Sequence, residues 1–208
     1  MTKLILVIGT KRLSAWSMRA WLALRQSGLS FDEIVVDFEA PDRRARILAH
    51  SPSGRVPMLK VGDLKIWESL AICEYVSEIA RDVPLWPEDP AARAVARAVA
   101  NEMHAGFLDL RKALPVNLAK APAVVEVPAP AMENVARITQ SWNDCRAAYG
   151  AGGPFLFGRW SIADAMYAPV ATRLRTYGMP LDAVSAAYVD ATYALPAMQE
   201  YIADAKAN

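Results

Sequence analysis

The apolar positions change rhythm once along the chain, near residue 85. Before that point short β-branched runs alternate with helical stripes. Residues 4–8 form an unbroken apolar run of the kind a buried strand needs, and Gly9-Thr10 ends it. Over residues 17–24, Met18, Trp21 and Leu22 recur at helical spacing, and Gly28 supplies a C-terminal stop. Residues 31–38 read as a second strand centred on Ile34, Val35 and Val36, and residues 43–49 as a short helix. Residues 57–61 and 64–67 form a hairpin across Gly62-Asp63, an accepted two-residue turn. Residues 68–80 return to helical spacing, with Leu70, Ile72, Cys73, Val76 and Ile79 apolar. The order β-α-β-α-β-β-α requires a parallel crossover followed by an antiparallel pair.

Residues 81–90 hold three prolines and no periodicity, which marks a linker. Beyond it alanine becomes frequent, which favours helix, and no strand pattern of comparable strength occurs. The spacing predicts helices over 91–114, 131–149, 161–177 and 196–205. Residues 115–130 carry four prolines and read as a loop, either covering a site or simply connecting helices. The expected organisation is an α/β domain over 1–80, a linker over 81–90 and an all-helical domain over 91–208.

Composition narrows the function. The chain has 208 residues, of which 54% are apolar, so there is ample material for a core and disorder is excluded. A net charge of +1 leaves no nucleic-acid footprint. Cys73 and Cys145 are too few for a disulfide scaffold or a cysteine-only zinc site, and His50 and His104 lie far apart, so no metal is expected. No apolar run reaches the ~18 residues of a membrane span, and the start reads as a strand rather than a secretory leader. A cytoplasmic protein in a reducing compartment is the expectation.

Three motifs carry the chemistry. Ser14-Ala15-Trp16-Ser17-Met18-Arg19 lies between the first strand and the first helix. A helix N-terminus stabilises an anion such as a thiolate, and a thiol oxidoreductase of this topology places Cys-x-x-Cys there. Serine at both positions excludes disulfide exchange. A hydroxyl there either caps the helix or donates to a thiolate from another molecule. Gly54-Arg55-Val56-Pro57 precedes a strand. A cis bond before Pro57 would turn the backbone of Val56 outward towards an extended peptide; a trans bond would mark an ordinary edge strand. At Trp67-Glu68-Ser69 a strand meets a helix. Ser69 and nearby N–H groups suit a carboxylate and Glu68 an ammonium, although a capped helix has the same sequence.

The order and spacing of these motifs resemble the cytosolic glutathione transferase family over nearly the whole chain. Ser14 to Arg19, followed by Ala23-Leu24, is similar to the serine motif of the zeta class. Val56-Pro57 resembles the family's cis-proline element. Glu68-Ser69, Ala71-Ile72 and Glu74-Tyr75 resemble its γ-glutamyl site, and residues 157–164 its capping motif. In that last motif Ser161 and Asp164 are spaced as a reciprocal capping pair. The first tyrosine is Tyr75 and the first cysteine Cys73, which excludes the tyrosine and cysteine classes. Ala15 and Trp16 stand where the zeta pattern has serine and cysteine, and Arg55 where it has glutamine.

The resemblance implies a thioredoxin-like first domain, an all-helical second one, and a homodimer. It implies glutathione as co-substrate, with Ser14 bonded to the sulfur and Ser17 the second choice. Val56 and Pro57 would meet the cysteinyl unit, Glu68 and Ser69 the γ-glutamyl end, and Arg55 would add a charge contact. The second substrate, a hydrophobic or anionic electrophile, is expected between the domains, where pockets prefer to form. Leu13, Trp16, Met103, His104, Phe107 and Arg111 are its candidate wall. Arg175 lies near the position of a substrate-carboxylate arginine. Three activities remain open: conjugation, a zeta-type cis–trans isomerisation, and a non-catalytic glutathione-binding or stress-regulatory role.

Overall fold

Four strands build one sheet in the order β2-β1-β3-β4, in a computed structural model that describes residues 3–207. β1 (Leu4–Gly9) lies parallel to β2 (Phe31–Val36) and antiparallel to β3 (Met58–Val61), which pairs with β4 (Leu64–Trp67). α1 (Ala15–Ser27) makes the parallel crossover. Its Gly28 adopts φ 73°, a left-handed conformation that stops a helix at low cost only without a Cβ. α2 (Arg43–His50) follows β2, and α3 (Ser69–Ile79) closes the unit.

α1 packs on α3 and also on α7 and α9 of the helical part, described below, so it is covered on nearly every side. That explains its broad rather than striped apolar pattern. Even Arg19 on this helix is fully buried. One core cluster runs from Leu6 and Leu22 through Met103 to Trp142 and Tyr167. A second, small cluster of Val7, Val36 and Met58 lies on the other face of the sheet, with Ile47 of α2 against it.

The helical domain holds α4 (Pro90–Ala105), α5 (Leu108–Ala113), α6 (Ala129–Tyr149), α7 (Ile162–Thr176), α8 (Ala183–Ala194) and α9 (Pro196–Ala207). Two sequence expectations are corrected here. The single helix over 91–114 is two helices. Phe107 adopts φ 62°, and Arg111 donates to the carbonyls of Met103, His104 and Gly106. These bonds satisfy the carbonyls that end α4, so the break is built in rather than frayed. The second correction is α8, where no helix was expected. Asp182 caps it, accepting from Ser185 N at 2.9 Å. Leu195, before Pro196, takes ψ 124°, as the residue before a proline is biased to do, and separates α8 from α9.

Lys11, in the loop before α1, is a buried clasp. Its Nζ lies 2.8 Å from Glu33 of β2, 2.7 Å from Asp204 of α9 and 5.0 Å from the Trp21 ring centroid. Lys11→Met is expected to cost about 1–2 kcal/mol, since half-exposed partners soften the loss of a buried pair. The measurement is the urea midpoint at unchanged slope; an unaltered midpoint would contradict it.

Among the described residues no helix is long and apolar enough to cross a membrane, and no His, Cys, Asp and Glu group is placed to hold a metal.

Candidate functional site

A cavity of about 490 Å³ opens where the sheet unit meets the end of α4. Trp16 enters it from the first turn of α1. Arg55, Val56 and Pro57 come from the loop before β3, where the Val56–Pro57 bond is cis. Glu68 and Ser69 come from the β4–α3 junction, and His104 and Ala105 from the last turn of α4. Each segment is short and ends a regular element, so the sheet and α4 fix its position.

Ser69 is the chemically distinctive group. It opens α3, where the first backbone N–H groups lack helical partners. Its hydroxyl is buried and has no hydrogen-bond partner. A buried unpaired hydroxyl costs free energy unless something fills the site. With the positive end of α3 beside it, the matching occupant is an anion such as a carboxylate. Glu68 immediately before it adopts φ 70°, a strained conformation for a residue with a Cβ. Such strain collects at ligand sites. Its carboxylate stays half exposed, free to meet a cation.

His104 faces Glu68 from across the interface, Nε2 to Oε2 3.6 Å, and its ring meets Trp16 edge-on at 5.4 Å. Its Nδ1 is buried without a partner. Burial, then the charge of Arg19, pushes the imidazole below its ordinary value; Glu68 opposes this and Arg111 adds to it. The shift favours the neutral imidazole, which weakens its contact with Glu68 as an ion pair.

Behind the wall the field is positive. The guanidinium carbons of Arg19 and Arg111 lie 4.4 and 4.7 Å from the Trp16 ring centroid. Arg19 Nε donates to the Met166 carbonyl of α7 at 3.1 Å, while both of its terminal nitrogens are buried and unpartnered. Desolvation, then Arg111 and Arg173, lowers its pKa. Sequence reasoning read Arg19 only as part of a serine motif; the buried position of α1, a tertiary fact, makes it central.

Seven of the residues singled out from sequence thus share one cavity: Trp16, Arg55, Val56, Pro57, Glu68, Ser69 and His104. Ser14 and Ser17 are not in its wall. Ser14 caps α1, accepting from Ser17 N at 3.2 Å and donating to Ser17 Oγ at 2.7 Å. Ser17 Oγ also accepts from Gly9 N at 3.1 Å. Leu13 is half-buried in the turn that Thr10 closes. Met103 is fully buried core and does not line the cavity. Phe107 sits at the α4–α5 break, packed on the core, and Arg111 is the tie across that break. Arg175 is elsewhere: it lies over Tyr193 at 4.3 Å and lines a separate groove. Two residues further along α7 than Arg173, it falls on a different face of the helix. The loop after α5 does not cover the cavity. Leu118 N bonds Arg12 O at 3.0 Å, and Ala123 N bonds Thr176 O at 2.9 Å, which hold it against the loop before α1 and the end of α7.

Comparison with known proteins adds the family. Residues 13–79 match the model of the glutathione S-transferase N-terminal domain, and residues 93–204 that of the C-terminal domain. Over 97 residues the chain is 35% identical to the probable maleylacetoacetate isomerase of Caenorhabditis elegans, a stretch covering 47% of this chain and 45% of that protein. Over 80 residues it is 36% identical to glutathione S-transferase F14 of Arabidopsis thaliana, covering 36% of this chain and 32% of that protein. The match therefore spans less than half the length of these curated relatives. A solved glutathione transferase homolog from Burkholderia gl BGR1, with bound glutathione, superposes with a TM-score of 0.74. That likeness, at 23% identity over 99% of this chain and 98% of the other, is one of fold.

Proposed function

The chain belongs to the glutathione S-transferase family, and from that premise we propose that it binds glutathione at Glu68 and Ser69 and presents the thiolate to an electrophilic small molecule. The observation that carries this reading is the buried, unpartnered Ser69 hydroxyl at the start of α3. The γ-glutamyl end of glutathione has a carboxylate for Ser69 and an ammonium for Glu68. The Val56 backbone beside the cis Pro57 pairs with the cysteinyl unit, and exposed Arg55 meets an anionic end of the tripeptide. Arg19 and Arg111 give the cavity a field suited to this anion. Glutathione supplies the sulfur nucleophile; Ser14, at the start of α1, donates a hydrogen bond to the thiolate. Together with the helix terminus, such a bond favours the charged sulfur, at about 1.4 kcal/mol per unit of thiol pKa.

A second reading is supported by the relative named maleylacetoacetate isomerase. In it the thiolate adds reversibly to a conjugated double bond and leaves after rotation. Both readings place the protein in the cytoplasm, where glutathione is abundant and thiols stay reduced. We also propose a homodimer, and sedimentation at a clean 22.7 kDa would contradict it.

The test is direct. The protein is expected to be retained on immobilised glutathione and to conjugate a generic aryl halide. Ser69→Ala is expected to raise KM for glutathione about tenfold with little change in kcat, the loss of one hydrogen bond to a charged group. No retention at millimolar glutathione removes both enzymatic readings. Retention without turnover on aryl halides or maleyl compounds leaves a binding module.

A further inference from the structure

Among the residues lining the Ser69 cavity, Glu68 is the one carboxylate, and two cations have a claim on it. The first is the γ-glutamyl ammonium of the reading above. The second belongs to the protein. His104, in the last turn of α4, points its Nε2 at Glu68 Oε2 from 3.6 Å, just beyond a hydrogen bond. The contact joins the helical domain to the sheet domain, across the mouth through which a ligand reaches Ser69.

The hydrogen bonds assign the protons of this imidazole. Its Nδ1 is buried and has no partner. A neutral ring carries one N–H, and placing it on Nε2 avoids stranding a buried donor. The neutral ring therefore offers Nε2–H to Glu68. A second proton has to go on Nδ1, where nothing accepts it. The charged groups facing the ring are Glu68 from the β4–α3 junction, Arg19 from α1 and Arg111 from α5. α3 and α7 also pack on α4, but their nearby charges are committed elsewhere. Glu74 of α3 holds Arg97 at 3.2 Å, and Arg173 of α7 donates to the carbonyls of Leu114 and Pro169. Burial and the two arginines outweigh Glu68, so the imidazole titrates below its ordinary 6.5. Glu68 is thus the one group that supports the imidazolium. An ammonium paired with Glu68 withdraws that support, and a ligand filling the cavity strips water from the ring. Both effects expel the proton.

We propose that His104 is a proton-controlled competitor for Glu68: as the imidazolium it claims the carboxylate that otherwise meets the γ-glutamyl ammonium, so the neutral ring is the form that binds glutathione tightly. This inference rests on the glutathione reading and adds a regulation of the same site. The coupling is reciprocal. Whatever factor the bound ammonium takes from the proton affinity of His104, the proton takes from the affinity for glutathione. One proton limits the effect to about tenfold per pH unit. The sign follows: affinity is full where the ring is neutral and falls as pH drops through the lowered imidazole range.

The test is isothermal titration of the full chain with S-methylglutathione, whose capped sulfur removes thiol ionisation, from pH 7.0 to 5.0. The ligand's ammonium and carboxylates keep their charge over that window. The dissociation constant is expected to rise about three- to tenfold from the upper to the lower end. In His104→Gln that slope is expected to disappear, whereas any share due to a carboxylate would survive. Binding in acid is expected to release protons, read as a dependence of the heat on the buffer's ionisation enthalpy. NMR of the two histidines, with His104→Gln assigning the signals, supplies a second measurement that does not need the variant to bind. The His104 midpoint is expected to fall in unliganded Glu68→Gln, and to fall in the wild type when S-methylglutathione saturates it. A flat affinity profile, a slope kept in His104→Gln, or a His104 midpoint that the ligand leaves unmoved would overturn this proposal while the glutathione reading stands. No binding at pH 7.0 would overturn both.

Discussion

Asp164→Ala is expected to lower the unfolding free energy by about 3–5 kcal/mol, a large share of the total for a single chain. Asp164 stands in the first turn of α7 and is fully buried. One oxygen accepts from Ser161 N at 2.8 Å and from Ser161 Oγ at 3.0 Å; the other accepts from Leu156 N at 3.1 Å. The carboxylate therefore joins the loop at Leu156 to the helix start, and α7 is the buried axis against which α1 and α4 pack. Alanine strands three donors where water has little access, at about 1–3 kcal/mol each before relaxation. Asp164→Asn fills the same volume, but one of its two ends becomes a donor facing donors, so roughly half of the loss is expected.

The pH dependence separates charge from hydrogen bonding. Burial pushes the Asp164 carboxyl up to about 6, against the bonds from Leu156 and Ser161 that lower it. A carboxyl raised in this way keeps its proton in the folded chain while the unfolded chain releases it. Its contribution is full below the ordinary value of 3.8 and is lost as pH rises through about 6. The slope is at most about 1.4 kcal/mol per pH unit. Urea midpoints taken across that window are expected to show the wild-type advantage over Asp164→Asn shrinking as pH rises. A constant gap would mean that the carboxyl titrates alike in the folded and unfolded chain.

What sequence could and could not show follows from the range of the forces involved. β1, the β3–β4 hairpin and the end of α1 rest on local rules: a β-branched run, a Gly-Asp turn, a glycine at φ 73°. Such signals lie within a few residues and were legible. So was the reciprocal pair Ser161–Asp164, whose spacing alone identifies it. The α4–α5 break was not, because alanine and leucine continue the helical rhythm straight through it. Gly106 was the one local warning, and the deciding bonds come from Arg111, five residues on. α8 also had a signal, Asp182 three residues before Ser185, but its apolar residues form no clear stripe. At the site, the residues that meet in the cavity were legible as motifs or as candidate wall positions, while their contacts across the interface were not. His104 was a candidate wall residue, but that it faces Glu68 depends on where α4 ends. Arg175 was placed near a substrate on the strength of the resemblance alone, yet it lines a different groove. Proximity in sequence along a helix is a poor guide to a shared face.

Ser14→Ala is expected to lower kcat for conjugation about 10–100-fold at neutral pH, the worth of about 1.5–3 kcal/mol for a hydrogen bond to a charged group. The geometry supports Ser14 over Ser17 for this role even though neither lines the cavity. Ser14 Oγ accepts from Ser17 N as the cap of α1, and that bond uses a lone pair. Its proton goes to Ser17 Oγ, which also accepts from Gly9 N. Turning the Ser14 hydroxyl towards a thiolate therefore leaves the cap in place and leaves Ser17 bonded to Gly9. Using Ser17 instead requires moving a fully buried side chain that holds the end of β1 to the start of α1. Ser14→Ala also removes a helix cap, worth about 1 kcal/mol, so its stability must be measured beside its rate. The discriminating readout is the pH–rate profile. Without the hydroxyl the bound thiol titrates higher, so the variant's rate is expected to recover as pH rises, whereas a merely unstable protein would stay slow. Full turnover at neutral pH in Ser14→Ala would move the thiolate contact away from this residue. Ser17→Ala is expected to lose stability first, because Gly9 N and the Ser14 hydroxyl would both lose their acceptor.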